Sequence, residues 1–217
     1  MFVKIFDKRK FYMRERTVFF FVGLMILTLG VALIIKANLG AASWDALAVG
    51  ESTTFGITVG TCVFINGIIL IFINAFLLKR KPEVLAALSI FIIGLMIDFW
   101  LLIGLKNFAP DHLGVQSAAL LTGILALGVG IAVYLQAKFP SSPMDTVMIA
   151  ISERFGLSLR SSRLISEGLA LALAVAFGGA VGIGTVIVTL SLGFIVQFFF
   201  PKFEGLLKAR SQKLSFK

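Results

Sequence analysis

The chain of 217 residues is 59% hydrophobic and only 14% charged, whereas soluble domains carry about 25% charged residues. A soluble fold of this size could not hide so much apolar surface from water, so the composition excludes an ordinary soluble domain and predicts an integral membrane protein. The net charge of +9 does not indicate nucleic-acid binding, because the basic residues lie between apolar runs and not on a basic helix with interleaved aromatics.

Six apolar runs approach the ~20 residues that a helix needs to cross a bilayer. The first run follows a basic segment, but it has the length of a full span and no small-residue cleavage site ends it, so it is read as a retained helix. Four glycines join the last two runs and favour a tight turn there. The predicted spans are Val18–Ala37, Ile57–Leu78, Val84–Leu105, Val115–Ala137, Leu164–Gly182 and Ile183–Phe200.

Two segments between spans are too polar to cross the membrane and too apolar for ordinary loops. They are Asn38–Gly56, after the first span, and Lys138–Gly156, after the fourth. Each is predicted to hold a short helix that lies at the interface or re-enters the membrane. Re-entrant backbone is tolerated where it is buried in protein or lines a wet cavity.

The basic residues predict the orientation of the spans. With six crossings, 18 of the 20 Lys and Arg residues fall on one side, and only Lys36 and Lys106 fall on the other. Basic connections concentrate on the cytoplasmic side of membrane proteins. The sequence therefore predicts a multi-pass protein of the bacterial plasma membrane whose basic tails, residues 1–16 and 202–217, are both cytoplasmic.

The two halves of the chain resemble each other at an offset of 100 residues. The stretch from Gly30 to Asp45 matches the stretch from Gly130 to Asp145, and Phe55-Gly56 matches Phe155-Gly156. Within one membrane domain, residues 1–217, the repeats cover residues 14–105 and 114–201. Because three spans reverse the direction of the second copy, the predicted fold is all-α, with six transmembrane helices as two inverted three-helix repeats, an architecture recurrent in secondary transporters.

The sequence resembles the YczE/YyaS/YitT family of bacterial membrane proteins. The resemblance rests on GVALIIKANLGAASWDAL and FGITVGT in the first half, and on FPSSPMDTV, FGLSL and VGIGTVI in the second. Some relatives add a soluble C-terminal domain that this chain lacks, which brings it closer to the short YczE-like branch. The resemblance implies a fold and a membrane location more than a substrate, with a suggested link to small-molecule export or secondary-metabolite production.

Two aspartates, Asp45 and Asp145, stand at equivalent positions of the short segments. Ionisable groups at membrane depth are costly and mark functional sites by default, so a cation-binding or proton-exchanging pair is one interpretation. Capping is an equally open alternative. The run from Ser142 to Asp145 has the form of a capping box with Pro at the first helical position, and Asp45 falls in a first turn, where the helix dipole favours an acid.

A second set of polar residues lies within the spans themselves. The predicted orientation puts Asn66 and Asp98 towards the outer half, and Glu167 and Gln197 towards the inner half. Arg163 precedes Glu167 by four residues, so a plain ion pair is the favoured interpretation of Glu167. Asp98 has no obvious local partner and is weighted towards function.

The leading hypothesis from the sequence is a small secondary transporter whose site lies at the repeat interface, with proton coupling or a cationic or zwitterionic substrate. The alternative is a non-transporting accessory or scaffold protein for a biosynthetic or signalling system. An enzyme is not expected, because P-loop, HExxH and Ser-His-Asp patterns are absent from the sequence. The expected partners are the bilayer and a small molecule, without nucleic acid, metal or cofactor, and homo-oligomer formation is left open.

Overall fold

A computed structural model describes residues 2–139 and 142–213, and all regular structure within these ranges is helical. This confirms the predicted all-α class. A π-helical turn, Trp100–Gly104, follows α4, and a 3-10 turn, Leu135–Ala137, follows α5. The α-helices are α1 (Phe2–Ala37), α2 (Ser43–Phe55), α3 (Val59–Leu78), α4 (Val84–Phe99), α5 (Leu113–Tyr134), α6 (Pro143–Phe155), α7 (Leu159–Ala176) and α8 (Ile183–Lys213).

Within the described ranges, five helices are long and apolar enough to cross a membrane. They are α1, α3, α4 with its π-helical turn, α5 with its 3-10 turn, and α8, and they coincide with five of the six predicted spans. The helices α1 and α8 continue past these spans into the basic segments predicted as tails. Such long apolar helices require a bilayer around them, because many of their large apolar side chains are exposed.

The helix α7 differs from the fifth span predicted at Leu164–Gly182. It begins earlier, at Leu159, and ends at Ala176. Its 18 residues include Arg160, Arg163 and Glu167, and this charge separates it from the five apolar helices. The residues 177–182 that connect it to α8 include Gly178 in a left-handed conformation with a φ of 65°, which glycine adopts at little cost.

The two short helices form where the sequence predicts them. The helices α2 and α6 each have 13 residues, and each ends at a glycine, Gly56 or Gly156, with a φ of 67°. A hydroxyl then caps the next helix, because Thr58 accepts from the Thr61 N–H and its counterpart in the second half accepts in the same way. The chain therefore makes the same sharp turn after each short helix.

The helices α1 and α5 form the central pair of the bundle. Their backbones come close at glycines: a Cβ atom on Gly30 would lie 2.4 Å from the Leu127 nitrogen, and one on Gly130 would lie 2.3 Å from the Leu27 nitrogen. Small residues permit this kind of close approach between membrane helices. Around this pair, α2 packs on α7 and α6 packs on α3, so each short helix contacts the helix that follows the other one.

Candidate functional site

The first turns of α2 and α6 pack against the same apolar cluster. Trp44 and Met144, at equivalent positions of the two helices, pack against one apolar cluster of Leu70, Val147 and Ile151. Each is followed by the aspartate that the sequence singles out. The packing of the two first turns therefore brings both aspartates towards the same region, between the halves of the chain.

Three carboxyl groups and one guanidinium group surround this region. Asp45 and Asp145 both interact electrostatically with Glu167 of α7, and Asp145 also interacts with Arg163. The predicted ion pair within α7 is confirmed, with 3.9 Å between Arg163 Nε and Glu167 Oε1. We call Asp45, Asp145, Arg163 and Glu167 the central cluster, and it carries more acidic than basic groups.

Capping accounts for only part of the chemistry at the two aspartates. Ser142 accepts from the Met144 N–H at 3.4 Å, so the predicted serine cap of α6 is present. The residue before α2 is Ala42, which provides no side-chain cap. In the described part of the chain, neither the Asp45 nor the Asp145 carboxylate accepts a hydrogen bond. The acids thus lie in the first turns of their helices without returning a capping bond.

Asp98 has a structural partner that sequence spacing does not reveal. Its Oδ2 accepts from Thr58 Oγ1 at 2.6 Å, and its Oδ1 accepts from the Gly60 N–H at 2.7 Å. Both donors belong to the start of α3, 38 to 40 residues earlier in the chain. Asp98 has no partner nearby in the sequence, as expected, but its carboxylate caps the N-terminus of a neighbouring helix.

Asn66 is paired with an acid that sequence reasoning missed. The Asn66 Nδ2 donates to Glu51 Oε2 at 2.6 Å, and Asn66 itself is buried. Glu51 lies on α2, half-buried, and burial raises its pKa while the bond from Asn66 lowers it. The signal that could have found Glu51 is an acid within a segment predicted to lie at the interface or to re-enter the membrane.

Gln197 does not join either group of polar residues. It is exposed on α8, which packs on α5 and makes at most marginal contact with α7. The polar candidates are therefore divided. Asp45, Asp145 and Glu167 come together, Asn66 and Asp98 contact other partners on the α2–α3–α4 side, and Gln197 stands apart.

The packing of the last two helices differs between the two halves of the chain. In the first half α3 packs closely on α4, since a Cβ atom on Gly60 would lie within 2.0 Å of the Gly94 carbonyl oxygen. The residue at the position of Gly60 in the second half is Arg160. Gly193 of α8, which matches Gly94 at an offset of 99 residues, has open space where a Cβ atom would lie. The α3–α4 interface is closed, whereas its α7–α8 counterpart is open.

The two connections that join these helices also differ, but here the connection in the second half is the closely packed one. The glycine connection, residues 177–182, lies tightly on the α1–α2 junction, where the Ala41 N–H donates to the Ala180 carbonyl at 2.8 Å. Just after it, the Gly184 N–H donates to the Leu39 carbonyl at 2.7 Å. The basic connection, residues 79–83, instead borders a cavity of about 440 Å³ against α6. In the described residues, no group of three or more His, Cys, Asp or Glu could hold a metal ion.

A family model described as a family of unknown function (DUF6198) matches residues 14–201. The chain belongs to this family. The chain is also 35% identical over 183 residues to the protein YyaS of Bacillus subtilis (strain 168), and the aligned region covers 84% of this chain and 91% of the relative. It is also 31% identical over 196 residues to the membrane protein YczE of the same organism, with 88% of each chain covered.

A third relative, from Haemophilus influenzae (strain ATCC 51907 / DSM 11121 / KW20 / Rd), is 33% identical over 178 residues, which is 81% of this chain and 79% of the relative. No solved structure matches the chain significantly. The resemblance to YczE and YyaS predicted from the motifs is confirmed, and the naming of YczE as a membrane protein agrees with the five apolar helices. The chain is a membrane protein of the DUF6198 family.

Proposed function

We propose that the protein is a small secondary transporter, built from two inverted three-helix repeats, that moves a small molecule through a site at the repeat interface. Protons or a cationic or zwitterionic solute are the species that this site would take. Six helices cross the bacterial plasma membrane in this proposal, and both termini are cytoplasmic.

The observation that carries the proposal is the unequal packing of equivalent interfaces. One half of the molecule has a closed α3–α4 interface and an open basic connection, and the other half has an open α7–α8 interface and a closely packed glycine connection. If the two halves exchanged these arrangements, access to the middle would pass from one side of the membrane to the other. Rocking of inverted repeats around a fixed midplane site is how such folds transport.

The charge of the central cluster supports the choice of substrate. Asp45 and Asp145 both interact with Glu167, and the one guanidinium group of the cluster, that of Arg163, already pairs with Glu167. Acidic groups at membrane depth are stabilised by a bound cation or by protonation. An anionic solute would meet three carboxylates and a single guanidinium group, and it would be repelled.

The orientation depends on whether α7 crosses the membrane as a sixth span. Its charged residues lie in its first nine positions, while Leu169, Leu173 and Val175 beyond them are exposed and apolar, as a lipid-facing surface requires. A reporter enzyme that is active only outside the cytoplasm, fused after residue 217, tests this point. Six crossings predict an inactive fusion, and five predict an active one if the N-terminus is cytoplasmic.

Transport itself is tested with purified protein in liposomes that contain a pH-sensitive dye. A panel of cationic and zwitterionic solutes is added outside, and uptake or proton movement is recorded for the wild type, Asp45→Asn and Asp145→Asn. We expect both variants to lose at least tenfold of the wild-type rate while they keep the wild-type unfolding temperature. Asp111→Asn, the same change in a loop before α5, is the matched control and should transport normally.

Two results would contradict the transporter. One is a wild type that moves none of the solutes or protons while the reconstituted protein remains folded. The other is unchanged transport in both Asp45→Asn and Asp145→Asn, which would remove the central cluster from the mechanism.

The accessory or scaffold alternative is favoured by one specific observation. Asp98 and Glu167, two of the acids in the membrane region, already have structural partners, so their presence does not require a substrate. This alternative predicts that Asp45→Asn and Asp145→Asn keep the cellular role of the protein. Complementation of a deletion strain by these variants separates it from transport.

A further inference from the structure

The cavity beside the basic connection has a wall with two kinds of surface. Ile71 and Leu78 of α3 and Ile149 of α6 give it an apolar side, and Arg80, Lys81 and Glu83 lie at its rim. Its volume of about 440 Å³ falls in the range of small-molecule sites. The cavity is separate from the central cluster, since none of the cluster's four residues lines it.

A buried amide with an unused acceptor lies at this cavity. Asn74 is 5% exposed, and its Nδ2 donates to the Pro143 carbonyl at 2.9 Å. Because a carbonyl can only accept, the amide nitrogen must face Pro143, and the Oδ1 atom is left without a donor. Buried polar atoms are almost always paired, so an N–H or O–H group of a ligand would complete this one once a small shift of its neighbours uncovers the enclosed oxygen.

The rim provides positive charge that a ligand could use. Arg80 pairs with Glu153 at 3.2 Å, but both side chains are largely exposed, and exposed pairs contribute little to stability. An anionic group could therefore take over the guanidinium group at small cost. Guanidinium and ammonium groups together suit a phosphate, which offers several acceptor oxygens.

We propose that this cavity binds a phosphate head group that carries its own hydroxyl or ammonium donor. The phosphate contacts Arg80 and Lys81, the donor satisfies Asn74 Oδ1, and any attached hydrocarbon lies along the apolar wall towards the bilayer. A phospholipid and a free phosphorylated solute share this chemistry, and the experiment separates the two.

The test measures the unfolding temperature of the full-length protein in detergent, and the dissociation constant from its shift, with three probes. Phosphatidylglycerol carries phosphate and hydroxyl donors, phosphatidylcholine carries phosphate without an N–H or O–H donor, and glycerol 3-phosphate is the free head group. We expect phosphatidylglycerol to raise the unfolding temperature more than phosphatidylcholine does. A rise with glycerol 3-phosphate would indicate a solute as the source, and no such rise would indicate a lipid.

Variants make the location of the site testable. The double change Arg80→Gln with Lys81→Gln should weaken phosphatidylglycerol binding about tenfold, as expected for lost charge-assisted bonds. Asn74→Leu should reduce the preference for phosphatidylglycerol over phosphatidylcholine. Arg160→Gln removes an exposed basic side chain outside the cavity and should bind as the wild type does.

Three outcomes would overturn the site. They are equal stabilisation by the two lipids in the wild type, equal phosphatidylglycerol affinity in the double variant and in Arg160→Gln, and no stabilisation by any of the three probes. None of these outcomes depends on transport. The cavity site can therefore be disproved while the proposed function stands, and the proposed function can be disproved while the cavity site stands.

Discussion

The aspartates in the membrane region differ in what their carboxylate oxygens contact. Asp98 accepts two short hydrogen bonds from the first turn of α3, and it is therefore a helix cap supplied by another helix. Asp45 and Asp145 stand in the first turns of their own helices and accept none within the described residues. Residues of the same type therefore have different surroundings here, because each Asp98 oxygen accepts a hydrogen bond and the other two carboxylates accept none within the described residues.

Replacing Asp98 should reduce stability and leave the central cluster intact. Asp98→Ala removes both acceptors of the Thr58 hydroxyl and the Gly60 N–H, and an unsatisfied partner costs about 1–3 kcal/mol. We expect the free energy of unfolding to fall by about 2 kcal/mol on that basis, measured by chemical denaturation in detergent. Asp98→Asn, which keeps one acceptor, should lose less, and Asp111→Ala should lose almost nothing. An Asp98→Asn protein of wild-type stability without activity would instead make Asp98 part of the site.

At the scale of helices, glycine positions determine which interfaces are closed. The carbonyl oxygen of Gly94 occupies the place where a Cβ atom on Gly60 would lie, and this permits the approach of α3 to α4. In the second half Arg160 stands at the position of Gly60, and a side chain of that size prevents the same approach. The difference between the halves thus begins with single residues at equivalent positions.

A pair of glycine substitutions tests this difference. Gly60→Ala inserts a methyl group into a closed interface, and we expect a loss of about 1–3 kcal/mol from overpacking. Gly193→Ala places the same methyl group in open space on α8, where alanine favours the helix by up to about 1 kcal/mol. The free energy of unfolding in detergent should be at or above the wild-type value for Gly193→Ala and below it for Gly60→Ala. Equal losses in both would mean that α7 and α8 are closed against each other in the membrane.

The sequence predicts the helices better than their contacts. The short helices α2 and α6 follow from glycine stops at Gly56 and Gly156 and from the hydroxyl caps two residues later, which are local signals. The limits of α7 were less predictable, because apolar length alone places a span over Leu164–Gly182 and ignores the charged first turns that begin at Leu159. Contacts across the bundle, such as Glu51 with Asn66, depend on helix packing, which no local pattern encodes.

At the scale of the whole molecule, the contact between the α1–α2 junction and the glycine connection is the feature that the proposed transport cycle would have to change. It consists of backbone bonds, Ala41 to Ala180 and Gly184 to Leu39, with no charged side chain involved. In the other half, a cavity lies between the basic connection, residues 79–83, and α6. A transporter that exchanges the two arrangements must break these bonds in each cycle, whereas a scaffold has no reason to break them.

Joining the two sides of this contact should therefore stop transport reversibly. In a Cys62→Ala background, Ala41→Cys and Ala180→Cys place thiols on segments whose backbones are bonded at 2.8 Å, within reach of a short bifunctional thiol reagent. We expect the crosslinked protein in liposomes to lose more than roughly nine-tenths of its flux, because the closed arrangement cannot open. The loss should match the fraction of protein that is crosslinked. A reductant-cleavable reagent should restore the flux, and each single-cysteine variant treated in the same way is the control. Full flux through a completely crosslinked protein would show that this contact stays closed throughout the cycle, and the exchange of arrangements between the two halves would then be wrong.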